Sequence, residues 1–447
     1  MKETSRQERP PPVAGAEPEP PQGGEIRARW AWVEASVWTP RMLKALETGM
    51  GGGKWFRLID KVWSEKNLQS ALEQVLKNGG SAGLDGRSVA AVGRQSEEEI
   101  AILHRELRAE SYEPRPVKRV WIPKQGSPQK RPLGVPTVRD RIVQTALRNV
   151  IEPIFERDFA PQSYGFRPGR GCKDALRRVD DLLKEGRVWV VDADIKGYFD
   201  TIAHGPLMKR VGGKLADGRV LRLVEGYLKA GVMESVKGWQ PTERGTPQGA
   251  VISPLLANIY LDPLDWEMAS AGLEMVRYAD DFVVLCRSRA EARRALEKIQ
   301  EFAQANGLAL HPEKTQIVDA SQPGGFDFLG YHFERSMKWP RKKSLAKLRE
   351  ALRAKTRRTE GRSMTAICED LNGLLRGWFE YFKHSKSHVF ARLDSYTRGR
   401  LRSILRKRRG GQGRGRGRDH QRWSNDFFHA QGLLSLSQCL QAIRQSP

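Results

Sequence analysis

The sequence predicts an α+β fold followed by a region of helices alone. Between about residues 115 and 335, short apolar runs with strand alternation are separated by longer segments with helical spacing, and after about residue 340 only basic helical patterns remain. Strands with one buried face repeat their apolar side chains at every second position, whereas surface helices repeat them at intervals of three and four residues. The change of pattern near residue 340 therefore indicates a border between a mixed domain and a helical one.

Length and composition indicate a globular protein with an anionic partner. The 447 residues, 39% of them hydrophobic, suffice for roughly three domains with cores. Lys and Arg number 77 against 53 Asp and Glu, a net charge of +24 that favours nucleic acid first and an anionic membrane second. No apolar run approaches the ~20 residues of a membrane span, and the N-terminus has no apolar signal core, so we expect a cytoplasmic protein without membrane contact. The four cysteines lie far apart and form no CxxC pair, so the sequence suggests neither a disulfide framework nor a zinc finger.

The N-terminal region is predicted to be a tail and a helical extension. Residues 1–25 are rich in Pro, Glu and Gly, a composition typical of disorder, and residues 26–59 show helical spacing. A glycine run ends at Gly53 and Lys54 and suggests a phosphate-binding loop. Because Thr48 stands where that motif needs its first Gly, and Trp55 where it needs Ser or Thr, we expect a linker instead.

The middle of the chain supplies the predicted strands and helices. Residues 115–136 have the pattern of a basic β-hairpin, because two apolar runs flank a Gly/Ser/Pro turn. We further predict helices over 139–156, 172–185 and 290–306, a strand over 188–195, and a second hairpin over 277–285.

Three carboxylates in this region form a candidate metal site. Alternation in the strand VVDADI sends Asp192 and Asp194 to one face and the apolar residues between them to the other. Asp280 and Asp281 occupy the turn of the hairpin RYADDFVVL, where burial without a partner would cost several kcal/mol, on the order of the penalty for an ion in low dielectric. If Asp194 lies beside that hairpin, the three carboxylates offer the oxygen ligands that Mg²⁺ prefers.

Such a cluster is suited to phosphoryl transfer. Two divalent ions roughly 3.5 to 4 Å apart can activate an attacking hydroxyl and stabilise a leaving phosphate oxygen. Taken alone, two adjacent aspartates at a turn are more often solvated turn residues.

Further segments carry a resemblance to a known family. YADD (278–281) resembles the signature of reverse transcriptases. LNGLLRGWFEYF (371–382) resembles the helical thumb, or maturase domain, of group II intron reverse transcriptases. The ordered polymerase blocks of that family are matched by NGGSAGLDG (78–86), IPKQGSPQKRPLGVPTVRDRIVQ (122–144), SYGFRPGR (163–170), DIKGYFD (194–200), GTPQGAVISPLLANIYLD (245–262) and FDFLGYHF (326–333).

The resemblance implies a right-hand polymerase. Its fingers would cover residues 60–187, and its palm, with an antiparallel sheet, would cover 188–335. An α-helical thumb/maturase domain (domain X) would follow over 336–405, and a basic nucleic-acid-binding tail over 406–447. Asp194, Asp280 and Asp281 would be the catalytic carboxylates, holding two Mg²⁺ ions together with Ile195.

The resemblance also implies nucleotide-binding residues. Lys124 and Arg131 match the fingers residues that grip the incoming triphosphate. Phe199 matches the bulky residue that screens the sugar 2′ position and so favours deoxynucleotides, and Gln248 matches a residue near the sugar. A core aromatic and a turn-stabilising amide are the structural alternatives for the last two. The usual Gly after PQG is Ala250 here, which is small enough to keep the turn.

Basic residues are the candidates for contacts with template and RNA, because phosphate contacts dominate nucleic-acid affinity. In the loops of the polymerase region they are Arg167, Arg170 and Lys314. In the helical region they are Arg376, Lys383, Lys386, Arg392, Arg398, Arg400, Arg402 and the run Arg406, Lys407, Arg408 and Arg409, which begins a glycine-rich arm expected to order on RNA. Solvated surface charges are the alternative for each.

The sequence therefore predicts an RNA-directed DNA polymerase that extends a DNA primer on an RNA template with deoxynucleoside triphosphates. The resemblance adds binding of intron RNA, assistance in splicing, and retrotransposition into a DNA target. Cys439, His420 and His429 are too few for the C-terminal HNH endonuclease of some relatives. Two alternatives stay open: a domesticated polymerase in phage defence or CRISPR spacer acquisition, and a splicing factor with a vestigial polymerase. A homodimer is also left open.

Overall fold

The structure is a computed structural model that describes residues 23–49, 53–123 and 130–445. The predicted disordered tail thus lies mostly outside the described residues. The chain divides into two compact units, residues 1–175 with 191–316 and residues 176–190 with 317–447. The domain borders predicted at 187/188, 335/336 and 405/406 stay predictions.

The described strands lie between residues 117 and 340, and helices occur before, among and after them. The helices up to residue 305 are α1 Gly23–Arg29, α2 Pro40–Thr48, α3 Ile59–Val62, α4 Glu65–Asn78, α5 Val89–Arg94, α6 Ser96–Arg108, α7 Val138–Glu156, α8 Cys172–Lys184, α9 Tyr198–Thr201, α10 His204–Lys214, α11 Gly218–Lys229, α12 Ser253–Ser270 and α13 Arg289–Ala305. The strands are β1 Val117–Pro123, β2 Lys130–Val135, β3 Trp189–Asp194, β4 Val232–Glu234, β5 Gly238–Gln240, β6 Glu274–Tyr278, β7 Asp281–Cys286, β8 Gln316–Asp319, β9 Phe326–Phe328, β10 Tyr331–Glu334 and β11 Met337–Pro340. The remaining helices are α14 Lys342–Lys355, α15 Met364–Phe382, α16 Ser387–Arg408, α17 Arg418–Arg422, α18 Asn425–Ala430 and α19 Leu436–Gln445.

The three helices predicted in the polymerase region are confirmed to within a residue or two at each end. Capping side chains explain why the ends are well defined. The hydroxyl of Thr137 accepts a bond from the backbone N–H of Asp140 at the start of α7. Ser288 does the same for Glu291 at the start of α13, and the Glu291 carboxylate accepts a bond from the backbone N–H of Arg287, the residue before the N-cap.

Three small sheets complete the mixed part of the fold. The predicted basic hairpin is confirmed as β1 and β2, in a four-stranded sheet of order β2-β1-β4-β5. A second sheet has the order β6-β7-β3-β8, and the antiparallel pair β6 and β7 confirms the second predicted hairpin. The third sheet has the order β11-β10-β9. β3 therefore lies directly beside β7, as the predicted metal site requires.

From residue 341 to residue 445, where the structure describes the chain, only helices occur, as the basic patterns predict. Buried apolar side chains of α14, α15 and α16 form one core cluster. Trp423, Phe428, Leu436 and Leu440 belong to the same cluster, so the segment after α16 is folded against this core. The sequence predicts a basic tail here, and the nucleic-acid-binding role of that segment stays a prediction.

Among the residues that the structure describes, no helix is long and apolar enough to cross a membrane.

Candidate active site

The hairpin of β6 and β7 presents two aspartates at its tip. Tyr278 pairs with Asp281, so Ala279 and Asp280 form a two-residue turn. Ala279 has a φ of +60°, in the left-handed region that costs a side-chain-bearing residue roughly 1–2 kcal/mol. The apolar arm from Phe282 to Leu285 is fully buried. The turn is thus held by its packing and its hydrogen bonds, in a conformation that alanine does not favour.

Arg277 anchors this turn from inside the protein. Its side chain is 1% exposed and forms a bidentate ion pair with Asp265, which is 0% exposed. A third nitrogen, Nη1, donates to Oδ1 of Asn258 at 3.0 Å and to the carbonyl oxygen of Ala279 at 2.8 Å. Burial raises the pKa of Asp265, although the charge of Arg277 opposes that shift. The guanidinium therefore ties the strained residue of the turn to helix α12.

A neighbouring segment supports the same turn. The backbone N–H of Arg277 donates to the carbonyl of Gln162 at 3.0 Å, and the N–H of Tyr164 donates to the carbonyl of Arg277 at 2.8 Å. Nδ2 of Asn258 donates to the carbonyl of Gly165 at 2.8 Å. A Cβ atom on Gly165 would lie 2.2 Å from the backbone nitrogen of Ala279, so only glycine fits there.

Sequence patterns alone missed these supporting residues. One signal was available: Arg277 lies in a strand whose other inner side chains are apolar, and Asp265 lies in an apolar helix. Two opposite charges in apolar elements indicate a buried pair, because unpaired burial is costly.

Asp194 ends β3 and is electrostatically coupled to Asp280. Burial raises the pKa of Asp280, and the charge of Asp194 adds to that rise. Arg131 and Arg277 oppose it, so both arginines lie within electrostatic reach of the turn. Asp281 is the first residue of β7, beside β3, and is partly buried.

Lys314 pairs with the first of these carboxylates. Its Nζ lies 2.6 Å from Oδ2 of Asp194, and the backbone N–H of His311 donates to the Asp194 carbonyl at 2.7 Å. The sequence predicts Lys314 as an RNA contact, whereas the structure directs its charge at the acidic site.

The donor set fits a hard divalent cation in its chemistry. Carboxylate oxygens and the Ile195 carbonyl are the ligands such ions prefer. Two backbone hydrogen bonds join residues 194–196 to residues 309–311. The N–H of Lys196 donates to the carbonyl of Ala309, and the carbonyl of Asp194 accepts from the N–H of His311, so neither bond uses the Ile195 carbonyl. Within the described part of the chain, no three His, Cys, Asp or Glu side chains are gathered into a group that could hold a metal.

The turn that contains Gln248 contacts the strand that carries Arg131. The Gln248 carbonyl accepts a bond from the N–H of Gly134 at 2.7 Å, which joins that turn to β2. Arg131 is exposed on the same strand. Phe199 is half-buried at the start of α9, with its ring centroid 5.5 Å from that of Tyr198 and 6.5 Å from that of Phe166. Lys124 lies outside the described residues.

Comparison with known proteins places the chain in a family. The model described as reverse transcriptase (RNA-dependent DNA polymerase) matches residues 122–333, and that of the group II intron maturase-specific domain matches 345–423. Protein YkfC of Escherichia coli (strain K12) is 34% identical over 322 residues, which cover 62% of this chain and 83% of that protein. The chain belongs to the group II intron reverse transcriptases.

Two further similarities cover less of the molecules concerned. Group II intron-encoded protein LtrA of Lactococcus lactis subsp. cremoris is 44% identical over 172 residues, which are 38% of this chain but only 28% of LtrA. The partial Cas6-RT-Cas1–Cas2 complex matches with a TM-score of 0.35 at 24% identity, covering 56% of this chain and 41% of that one, a likeness too low to bear on function.

Membership of the family carries general properties. A reverse transcriptase is an RNA-dependent DNA polymerase and uses divalent metal ions, and the reverse transcriptase and maturase domains imply binding of RNA and DNA.

In this reverse transcriptase, Arg167 has a structural role that the sequence does not predict. It is 7% exposed, and all three of its guanidinium nitrogens donate within the protein. Nε and Nη2 donate to Glu156, and Nη1 donates to the carbonyls of Ala160 and Ser163. The predicted contact of Arg167 with the template stays a prediction. Arg170 is half-buried over the ring of Tyr164, and its contact with template or RNA stays a prediction.

The basic residues of the maturase domain differ in how they are used. Arg376, Lys407 and Arg409 are exposed. Arg406 forms an ion pair with Asp419, and Arg408 donates to the carbonyls of Glu360 and Arg362. Arg402, predicted as an RNA contact, is 4% exposed and bonded to the Trp423 carbonyl, so it is a structural residue.

Proposed function

We propose that this protein extends the 3′-hydroxyl of a primer on an RNA template, with deoxynucleoside triphosphates and two Mg²⁺ ions, as the reverse transcriptase and maturase of a group II intron. The observation that carries the proposal is the paired-aspartate turn beside Asp194, within a chain region that matches the reverse transcriptase family. Because the match covers only 28% of the length of LtrA, the activity of that whole protein is proposed for this chain and not transferred to it.

Asp194, Asp280 and Asp281 would hold the metal ions, with the carbonyl of Ile195 as a further ligand. Bound divalent ions supply activation of the attacking hydroxyl and stabilisation of the leaving phosphate oxygen. The contribution of the protein itself is to position the carboxylates that would hold these ions. Arg277 holds the carbonyl of Ala279 at 2.8 Å, and so fixes where the Asp280 carboxylate stands.

The nucleotide would be held by residues of β2, of α9 and of the turn that contains Gln248. Arg131 presents a planar fork suited to the triphosphate, with Lys124 as the predicted second cation. Phe199 would occupy the space of a ribose 2′-hydroxyl and thereby favour deoxynucleotides, and Gln248 would lie near the sugar. Support comes from the bond between Gln248 and β2, which links the predicted sugar contact to the strand that carries Arg131.

Binding of intron RNA is proposed for the helical region. The match to the maturase-specific domain over 345–423 and the exposed Arg376, Lys407 and Arg409 support it, since cationic side chains supply most of the affinity for RNA. Fingers over 60–187, palm over 188–335, thumb over 336–405 and the nucleic-acid-binding role of 406–447 belong to the same proposal.

Primer extension tests the polymerase assignment. On poly(rA) primed with oligo(dT), Asp280→Ala should reduce extension at least about 100-fold, because a metal ligand is lost, while RNA affinity stays at the wild-type value. Glu297→Ala removes an exposed carboxylate from α13 and serves as the matched control, with extension as in the wild type. Equal extension by Asp280→Ala and wild type would refute the metal site, and no extension by either would favour a splicing factor with a vestigial polymerase.

A further inference from the structure

Three arginines with four-residue spacing lie on one face of α16, namely Arg398, Arg402 and Arg406. The segment that follows α16 provides partners for two of them. Nε of Arg402 donates to the Trp423 carbonyl at 2.9 Å, and its Nη2 donates to Oδ1 of Asn425 at 3.1 Å. Arg406 forms an ion pair with Asp419 and donates to the Gln412 carbonyl.

The third arginine differs from the other two. Nε of Arg398 is buried, and none of the residues that the structure describes accepts a hydrogen bond from it. Burial lowers the pKa of Arg402, and the positive charge of Arg398 lowers it further, so the two guanidinium groups repel each other. A buried donor without an acceptor is unfavourable, so Nε of Arg398 is not satisfied within the described part of the chain. An anion bound to the guanidinium of Arg398 would offset the repulsion from Arg402.

Arg398 lines a cavity that is large enough for such a ligand. The cavity has a volume of about 330 Å³, at the lower end of the range for small-ligand sites. Buried Phe428 and Leu433 give it an apolar wall. Its polar lining consists of Arg398, Asn425, Asp426, His429, Ser435 and Gln438.

The composition of the lining argues for more than a bare phosphate. Asp426 would repel a free anion, but its carboxylate can accept bonds from a base amino group or a ribose hydroxyl. The amides of Asn425 and Gln438 offer donors and acceptors together. Proteins recognise RNA mostly through unstacked nucleotides, whose base edges and ribose hydroxyls are open to such groups.

We propose that this cavity binds one unstacked nucleotide of single-stranded RNA, with its phosphate on Arg398 and its base or ribose on the polar side chains opposite. The site rests on the RNA binding proposed above and gives it a location. Residues 425–438, which supply most of the lining, follow the end of the matched maturase-specific domain at residue 423.

Fluorescence anisotropy with full-length protein tests the site. The probes are a labelled 12-nucleotide single-stranded RNA of mixed sequence and a duplex of the same length. Arg398→Gln should weaken binding of the single strand about tenfold, equivalent to about 1.4 kcal/mol, and binding of the duplex less than about twofold, because paired bases cannot enter the cavity. Gln438→Ala, an exposed change that leaves the core intact, should weaken single-strand binding about threefold.

Lys347→Gln is the matched control, because it removes one positive charge from an exposed position of α14. It should change both affinities by less than about twofold. Unchanged single-strand affinity in Arg398→Gln, or an equal loss for single strand and duplex, would overturn the nucleotide site. Since primer extension is not read here, that result would leave the polymerase proposal standing, whereas a wild-type protein that binds neither RNA would contradict the proposed function itself.

Discussion

At the scale of single residues, buried charges maintain the turn that carries Asp280. Arg277 and Asp265 are 1% and 0% exposed and face each other as a planar fork and a carboxylate. Removal of one partner from a buried pair costs about 3–5 kcal/mol, because the other charge is left uncompensated. The pair thus holds the left-handed backbone of Ala279, and with it the position of Asp280.

A second carboxyl nearby, which is half-buried, makes the stability of the protein depend on pH. Asp262 accepts a bond from the backbone N–H of Ala160 at 3.1 Å. Burial, and then the charge of Asp265, raise the pKa of Asp262 to about 7. Because its pKa is higher in the folded than in the unfolded state, the folded protein binds more protons between about pH 4 and pH 7, and stability falls as pH rises through that window.

Asp262→Asn should reduce this dependence, because asparagine keeps the acceptor oxygen but does not titrate. Between pH 5 and pH 7 the free energy of unfolding of the variant should fall less steeply than that of the wild type, by up to about 1.4 kcal/mol per pH unit. Urea unfolding at pH 5, 6, 7 and 8 measures it. Glu297→Gln, at an exposed carboxyl, should follow the wild type, and parallel curves for Asp262→Asn and wild type would contradict the expectation.

At the scale of elements, the β6–β7 hairpin depends on the segment 162–165 beside it. Two backbone bonds join that segment to Arg277, and Gly165 packs directly on the turn. The two short apolar runs on either side of Asp280 and Asp281 predict the hairpin. Periodicity cannot reveal that a segment more than a hundred residues earlier closes over its tip.

Gly165→Ala should disable the site without unfolding the protein. Its Cβ would lie 2.2 Å from the nitrogen of Ala279, so the turn must move. Displacement of catalytic groups by about 1 Å can cost about 100-fold in rate, and we expect a loss of that order in kcat for primer extension. Gly205→Ala in α10, where a new Cβ meets nothing within 4 Å, is the control and should keep full activity. A kcat within a few-fold of the wild type in Gly165→Ala would show that the turn tolerates the shift.

At the scale of the whole molecule, the C-terminal segment is part of a core. Phe428 and Leu436 are 0% exposed and belong to the cluster formed by α14, α15 and α16. The net charge of +24 and the Gly/Arg run suggest a mobile arm when read along the chain. Apolar side chains at helical spacing after residue 425 decide otherwise, since their burial stabilises the two helices α18 and α19.

Leu436→Ala should therefore destabilise the protein, by about 2–5 kcal/mol for a fully buried leucine. Chemical unfolding followed by circular dichroism measures it, with Gln441→Ala on the exposed face of α19 as a control expected within about 0.5 kcal/mol of the wild type. Wild-type stability in Leu436→Ala would mean that the segment does behave as a detached tail.

The sequence by itself determined the fold class, the main helices, both hairpins and the family. Each of these depends on local spacing or on short motifs, and spacing and motifs can be recognised from the sequence alone. Only the tertiary structure decided which charges are buried and which are available. Arg167, Arg402 and Lys314 have the same local character as exposed basic residues, yet Glu156, the Trp423 carbonyl and Asp194 take them as partners. Asp194 and Lys314 are separated by 120 residues, and the energy of such a contact depends on distance in space, which local pattern does not encode.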